Sequence, residues 1–235
     1  MTTSNAENKQ MAANIAVDFV QSNMIIGLGS GSTAELALQS LAGKYHTGLV
    51  ENIFGIPSSN RVESLALRLD FPLTSLEQHP LVDLTIDGAD EISPEFYMIK
   101  GGGGALLREK ILAQASQRLI IIVDETKMSS QLGSHWVVPV EVVPFGWRSQ
   151  AIFLETLGAK VRVRFKKDGV IYKTDQGNMI LDCDFGPIKD VDHLANQLDR
   201  RAGIVEHGLF IHLSPEVIIC GEQGCRHISS TREMS

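Results

Sequence analysis

The feature that most constrains the fold is a series of short, continuously apolar segments, each followed by a helical pattern. They lie at residues 24–29, 51–57, 81–91 and 119–127, and a further one occurs at 215–224. Continuous apolar strands that alternate with helices indicate a parallel sheet covered on both faces. The first four end in polar or glycine-rich sequence. Because such sheets bind ligands at the carboxyl ends of their strands, functional residues are expected there.

The pattern changes near residue 131. From there the chain is predicted to form strand, helix, strand, strand, helix and strand, which is the order of a ferredoxin-like unit. The prediction is therefore an α/β protein, with a Rossmann-like parallel sheet covered by helices and an inserted ferredoxin-like α+β second domain. The first domain is expected at residues 1–131 plus 208–235, and the second at 132–207.

Composition narrows the class of protein. Of the 235 residues, 43% are hydrophobic and 21% charged, which is typical of a folded domain. A formal net charge of −7 argues against nucleic acid as a partner, because phosphate backbones require clustered cations. An anionic ligand would need positive potential supplied locally. No apolar run approaches the ~20 residues of a membrane helix, so no membrane partner is expected.

Cysteine content and the N-terminal sequence suggest the compartment. Three cysteines are few and odd in number, so a disulfide framework is not expected and a reducing compartment is predicted. The polar start MTTSNAENKQ lacks the apolar region of a signal peptide. These observations predict a cytoplasmic protein.

A glycine- and hydroxyl-rich loop between the first strand and its helix is the first candidate site. Glycines allow close approach of an anion, and N–H groups at a helix N-terminus point towards it. A simple capping turn is the structural alternative. The pattern G-x-G-x-x-A also leaves a dinucleotide site open, although its acidic ribose partner would have to be near Glu51, at the wrong end of a strand. The candidate residues are Ser30, Gly31, Ser32 and Thr33.

Two further motifs follow the next apolar segments. Asp87 and Asp90 lie three residues apart at a strand end, where they could hold sugar hydroxyls or move protons; an Asp-Gly turn is the alternative. Lys100 precedes four successive glycines, 101–104. Because such a run is costly in backbone entropy, a close approach to a ligand explains it better than a linker does.

Glu109 is predicted to lie on an apolar helix face. At 100° per residue it falls among Ala105, Leu106, Leu112 and Ala113. A carboxylate there is costly without a partner or a task, and partial desolvation would raise its pKa and make it a better base near neutrality. A structural ion pair with an arginine or lysine is the alternative.

Two lysines are the remaining candidates for binding a ligand, and no metal site is predicted. Lys127, just after Asp124, is placed to meet a phosphate, and Lys9 on the first helix is a weaker candidate. The seven histidines are scattered, and the tail pattern C-x4-C-x-H, from Cys220 to His227, is a poor match to zinc sites.

Six motifs, in this order and spacing, resemble the type A ribose-5-phosphate isomerase family, over essentially the whole chain from about Lys9. They are GSGSTA (29–34), DGADE (87–91), KGGGGA (100–105), REK (108–110), VDETK (123–127) and PVEVVPFGW (139–147). The resemblance implies interconversion of ribose 5-phosphate and ribulose 5-phosphate through a cis-enediolate, in the non-oxidative pentose phosphate pathway, with no cofactor or metal. It also implies a homodimer or homotetramer.

Roles follow from the resemblance by position. Glu109 is implied as the base that moves a proton between C2 and C1, and Asp87, Asp90 and Lys100 as the groups that handle ring opening, oxygen protons and negative charge. A non-catalytic sugar-phosphate sensor stays open as an alternative, since effector domains of some bacterial repressors resemble this fold. The implied substrate contacts are Lys9, Ser30, Gly31, Ser32, Thr33, Asp87, Gly88, Ala89, Asp90, Lys100, Gly101, Gly102, Gly103, Asp124 and Lys127.

Overall fold

A computed structural model describes residues 5–229 of the chain, which divide into two compact units. Of the described residues, unit 1 comprises 5–89, 108–127 and 213–229, and unit 2 comprises Asp90–Leu107 and Met128–His212. Within the described residues, no helix combines the length and the apolar composition needed to cross a membrane.

The helices and strands follow the predicted alternation. In chain order they are α1 (Asn5–Val17), β1 (Ile25–Leu28), α2 (Ser32–His46), β2 (Phe54–Pro57), α3 (Asn60–Arg68), β3 (Val82–Asp87), β4 (Glu91–Ile92), β5 (Met98–Ile99), α4 (Leu106–Ala115), β6 (Ser116–Asp124), a 3-10 helix (Glu125–Lys127), β7 (Val138–Val142), α5 (Trp147–Thr156), β8 (Lys160–Val163), β9 (Met179–Asp184), α6 (Val191–Asp199), β10 (Ile204–His207), β11 (Leu209–Phe210), β12 (Glu216–Gly221) and β13 (Gly224–Ser229).

Unit 1 is built on a six-stranded sheet in the order β13-β12-β6-β3-β1-β2. Neighbouring strands from β12 to β2 pair in parallel, and β13 pairs antiparallel at the edge. The apolar residues of the sheet are buried with those of the helices: Ile120 and Ile218 from strands share one cluster with Ala12 of α1 and Leu41 of α2. The predicted parallel sheet is confirmed.

Unit 2 contains a four-stranded antiparallel sheet in the order β10-β7-β9-β8. With α5 and α6 it has the predicted βαββαβ order, so the ferredoxin-like prediction is confirmed. Its core joins strand residues such as Val140 and Leu181 to Leu154 of α5 and Leu198 of α6.

A small three-stranded sheet, β11-β5-β4, was not predicted. Ile99 of β5 pairs with Glu91 of β4 on one side and Leu209 of β11 on the other. This pairing places residues 90–107 in unit 2, although the sequence assigned them to the first domain. The domain limits at residues 132 and 208 stay a prediction.

The last acidic residue of the DGADE motif has a structural role. Glu91 is 1% exposed, and its carboxylate accepts four backbone N–H groups of the segment 133–136. The donor–acceptor distances are 2.9 Å from Gly133, 3.2 Å from Ser134, 3.3 Å from His135 and 3.2 Å from Trp136. A buried carboxylate is tolerated when its lone pairs are filled in this way.

A disulfide joins Cys220 of β12 to Cys225 of β13, contrary to the expectation from cysteine content. The two residues face each other directly across the antiparallel hairpin, with 4.1 Å between their Cα atoms. An odd total could not reveal this pair, because the third cysteine, Cys183, lies buried in the core of unit 2. Desolvation raises the pKa of the Cys183 thiol well above its usual range.

Candidate active site

The serine-rich loop of unit 1, residues 29–33, follows the carboxyl end of β1 and lies against the residues that follow β2. The Oγ of Ser30 is 2.7 Å from the Oγ of Ser58 and donates to the Oγ of Ser59 at 3.2 Å. Ser58 is fully buried, and Ser59 also caps α3 by accepting from the Val62 N–H. The sequence showed only that β2 ends in polar residues, so these two serines were missed as partners of the loop.

Asp87 links this loop to the DGADE motif. Its carboxylate is 2% exposed, and Oδ1 accepts from the N–H of Ser30 at 3.0 Å and of Gly88 at 2.7 Å. At Gly29 an added Cβ would lie 2.3 Å from that oxygen and 2.5 Å from the Asp87 Cα. Any side chain at position 29 would therefore collide with the end of β3. This steric limit explains the glycine without a dinucleotide site.

Positive charge reaches the loop from the first helix. The ammonium of Lys9, the weaker candidate from the sequence, donates to the Oγ of Ser32 at 3.2 Å. Gly31 precedes α2 with a φ of 95°, a left-handed conformation that favours glycine, and Thr33 is buried in the first turn. The loop thus combines hydroxyls, a helix N-terminus and an ammonium, the usual elements of an anion site.

Glu109 of unit 1 is buried, as predicted. It is 5% exposed and lies in the first turn of α4, on the helix whose Leu106 and Leu112 are also buried. Its neighbour Arg108 instead donates to the side-chain oxygen of Asn60 at 3.0 Å. The position of Glu109 on an apolar helix face is confirmed.

The VDETK motif forms the end of β6 and the 3-10 helix. Asp124 is 2% exposed, and its Oδ1 accepts from the N–H of Thr126 at 3.1 Å and from the hydroxyl of the same residue. These contacts make Asp124 a turn-forming residue. Lys127, at the end of the 3-10 helix, is half-buried.

In unit 2, Lys100 is a buried cation. It is 3% exposed, and its ammonium lies 5.4 Å from the ring centroid of Phe210 on β11. Its backbone N–H donates to the carbonyl of Gly208 at 2.9 Å. An aromatic ring attracts a cation through its face, so Phe210 is a favourable neighbour for this side chain.

The glycine loop, residues 101–104, follows Lys100 and forms a tight turn. Gly104 donates to the carbonyl of Gly101 at 3.0 Å, and these two glycines have φ values of 84° and 96°, which other residues rarely adopt. The N–H of Gly102 donates to Oδ2 of Asp90 at 2.7 Å, and both Gly102 and Gly103 are exposed. Asp90 therefore holds an exposed stretch of backbone amides in place.

The structure brings the predicted residues together within each unit. In unit 1, Lys9, the loop 30–33 and Asp87 form a connected group. In unit 2, Asp90 and the glycine loop that follows Lys100 form another. Asp124 is engaged with its own turn, and Lys127 lies at the end of that turn.

A cluster with metal-like spacing occurs in the described part of unit 2, at Asp199, Glu206 and His207. His207 is 3% exposed; its Nδ1 accepts from the Leu209 N–H at 3.2 Å, which places the ring proton on Nε2, 3.0 Å from Asp199 Oδ1. Because that proton occupies the nitrogen that would bind a metal, the geometry fits a structural histidine.

Comparisons with known proteins agree with the motifs. The family model for ribose 5-phosphate isomerase A (phosphoriboisomerase A) matches residues 54–224. A ribose-5-phosphate isomerase A from Chloroflexus aurantiacus is 50% identical over 98% of this chain and 96% of its own length, and one from Desulfatibacillum aliphaticivorans is 50% identical over 98% and 100%.

Solved structures agree as well. A D-ribose-5-phosphate isomerase in complex with phospho-erythronic acid is 34% identical, with a TM-score of 0.94, covering 97% of this chain and 100% of that one. The ribose 5-phosphate isomerase from Plasmodium falciparum is 37% identical, with a TM-score of 0.93 over 96% and 99% of the two chains. The chain belongs to the ribose-5-phosphate isomerase A family of aldose–ketose isomerases.

Proposed function

We propose that this protein interconverts D-ribose 5-phosphate and D-ribulose 5-phosphate through an enediolate. Family membership supports the reaction, and the buried carboxylate of Glu109 is the observation that carries the mechanism. Moving a proton between C2 and C1 requires a base near the carbonyl and a group that stabilises the negative oxygen. The chain supplies both kinds of group without a nucleotide or metal.

Glu109 is proposed as the base. Its burial keeps water from competing for the substrate proton, and a carboxylate is able to take the proton from one carbon and return it to the next. A positioned base typically contributes about 10²–10⁴-fold to the rate. Lys100 is proposed to stabilise the enediolate oxygen, because its side-chain nitrogen lies beside an aromatic ring, directly before the glycine loop, and can donate to an oxygen that gains negative charge.

The two aspartates are proposed to act on the sugar oxygens. Asp87 is held at the serine-rich loop by the N–H groups of Ser30 and Gly88, and Asp90 is held at the glycine loop by the N–H of Gly102. Carboxylates fixed in this manner can accept and return hydroxyl protons during ring opening.

The phosphate is proposed to bind at the serine-rich loop. Hydroxyls, helix N–H groups and the Lys9 ammonium supply local positive potential that a chain of net charge −7 otherwise lacks. The solved relative binds phospho-erythronic acid, which is a phosphorylated ligand like the proposed substrate, in accord with a phosphate site. The proposed substrate contacts are Lys9, Ser30, Gly31, Ser32, Thr33, Asp87, Gly88, Ala89, Asp90, Lys100, Gly101, Gly102, Gly103, Asp124 and Lys127.

The decisive experiment compares Glu109→Gln with wild type in an assay for ribulose 5-phosphate formation, run with and without a chelator. The variant is expected to lose at least about 10²-fold in kcat while still binding substrate, since an amide cannot take the proton. Glu63→Gln, at an exposed glutamate of α3, is the matched control and should retain wild-type turnover.

Near-normal turnover of Glu109→Gln would refute the assigned base. Loss of wild-type activity with the chelator would refute a metal-free reaction. Stabilisation of the protein by ribose 5-phosphate without any turnover would favour a non-catalytic sensor, a reading that the isomerase relatives do not favour.

Location and assembly are also proposed here. We propose a cytoplasmic enzyme that forms a homodimer or homotetramer, from the family to which the chain belongs. Sedimentation of the purified protein would distinguish these assemblies from a monomer.

A further inference from the structure

The carbonyl oxygens of the glycine loop accept hydrogen bonds from side chains that lie far away in the sequence but belong to the same unit. Arg164, just after β8, donates through one guanidinium nitrogen to the carbonyl of Gly101 at 2.9 Å and to that of Gly102 at 3.1 Å. The hydroxyl of Tyr172 donates to the carbonyl of Gly103 at 3.1 Å. Three successive carbonyls of the loop are thus bound from one side.

Arg164 is itself fixed. Its other guanidinium nitrogens bind Asp182 of β9, with 2.9 Å between Nε and Oδ2 and a second contact to Oδ1. The paired geometry matches the planar fork of a guanidinium to a carboxylate. The side chain of Arg164 is only 14% exposed, so solvent screening of these bonds is limited.

Tyr172 is fixed as well, and it fits closely against the loop. Its backbone N–H donates to the carbonyl of Arg164 at 2.9 Å, and the arginine lies 5.9 Å from the phenol ring centroid. A Cβ on Gly104 would come within 2.4 Å of the Tyr172 hydroxyl oxygen. Desolvation raises the pKa of the Tyr172 phenol, so it remains a hydrogen-bond donor throughout the neutral range.

We infer that Arg164 and Tyr172 are positioning residues for the reaction: they hold the glycine loop by its carbonyl oxygens and so orient its N–H groups. In a planar trans peptide the N–H points opposite to the C=O. The N–H of Gly102 accordingly points away from Arg164, to Asp90, and the N–H of Gly103 also points away from Arg164.

The same contacts also strengthen the loop's donors. A carbonyl that accepts from a charged guanidinium polarises its peptide group, and hydrogen bonds in such a chain reinforce one another. The peptide between Gly101 and Gly102 therefore binds Asp90 more firmly, and the next peptide becomes a better donor to a developing negative oxygen. This inference rests on the proposed function, in which the glycine amides and Asp90 take part.

The test pairs Tyr172→Phe, which removes one hydroxyl, with Arg164→Gln, which removes the charged fork. We expect kcat to fall by about 2- to 10-fold for the first and about 10- to 100-fold for the second, from the range for neutral and charged hydrogen bonds. KM should change by less than about 2-fold, because the loop is asked to act in the transition state. The double variant should lose less than the product of the two, since both act on one loop.

Controls and a second readout separate positioning from stability. Tyr45→Phe in α2 and Arg68→Gln, at an exposed position in the last turn of α3, make the same chemical changes in unit 1, and both should behave as wild type. Amide hydrogen exchange at residues 101–104 should be faster in Tyr172→Phe than in Tyr45→Phe, whether or not the protein is catalytic.

Each outcome decides a different point. Faster loop exchange with reduced kcat supports the inference, and faster exchange with wild-type kcat and KM overturns it in favour of a purely structural contact. Unchanged exchange and unchanged kcat in Tyr172→Phe also overturn it, even if Arg164→Gln fails to fold. A wild-type protein without any turnover contradicts the proposed function instead.

Discussion

Replacing Glu91 with glutamine tests whether its carboxylate anchors the segment 133–136. The substitution keeps the size and shape of the side chain but exchanges one carboxylate oxygen for an NH₂ group. Each oxygen accepts two backbone N–H groups: Oε2 from Gly133 and Trp136, and Oε1 from Ser134 and His135. Whichever oxygen is replaced, two backbone donors lose their acceptor and face another donor.

The expected loss of stability follows from these contacts. An unsatisfied donor costs about 1–3 kcal/mol when it is fully buried. The donors of segment 133–136 are only partly buried, so two of them cost about 2–4 kcal/mol. Removing a buried charge recovers part of this, because its desolvation no longer opposes folding. We therefore expect Glu91→Gln to lower the free energy of unfolding of unit 2 by about 1–3 kcal/mol.

Intrinsic fluorescence in a urea titration is the assay. Both tryptophans of the chain, Trp136 and Trp147, lie in unit 2, and Trp136 is itself one of the four donors. Glu155→Gln, at an exposed glutamate of α5, is the control and should stay within about 0.5 kcal/mol of wild type. A Glu91→Gln variant as stable as this control would show that the four hydrogen bonds do not stabilise the unit, and would refute the reasoning.

Three further outcomes are expected. Gly29→Ala should destabilise unit 1 by about 1–3 kcal/mol, because the added Cβ overlaps Asp87, whereas Gly43→Ala, with open space in α2, should stabilise it by about 0.5–1 kcal/mol in thermal melts. Burial raises the pKa of Glu141 above its value in the unfolded chain. The folded protein therefore loses stability as pH rises between these two pKa values, by about 1.4 kcal/mol for each pH unit that separates them. Glu141→Gln should therefore gain stability relative to wild type from pH 4 to pH 7 in urea titrations, and a pH-independent difference would contradict this. Thiol titration of the denatured, unreduced protein should find one group, Cys183, and three after reduction, because two of the three cysteines are bonded; three groups before reduction would disprove the disulfide.

The hydrophobic pattern of the sequence was sufficient to predict the two larger sheets, because the pattern reflects burial directly. The run LIIIV of β6 is buried, and so are most residues of β7 and β9 in unit 2. The two-residue strands β4 and β5 are too short to show any period, and the pairing of β5 with β11 joins residues more than 100 positions apart. β13 is polar and mostly exposed, so it carried no strand signal.

The candidate site was predictable where one motif carries its own chemistry. Glycines, hydroxyls and paired carboxylates at strand ends were found because ligands bind there in parallel sheets. The partners of those motifs were not predictable: Ser58, Ser59, Arg164 and Tyr172 act through contacts between segments distant in sequence. Glu91 also shows that a carboxylate inside a functional motif can serve the backbone alone.

The order of the strands in the first sheet has a consequence for synthesis on the ribosome. β12, residues 216–221, lies between β6 and β13, so the sheet lacks an interior strand until the last part of the chain has been made. The edge of β6, with its run of isoleucines, stays unpaired while some 90 intervening residues emerge and fold. Exposed apolar strand edges favour aggregation, so a chain shortened before residue 216 should aggregate more than the full sequence does.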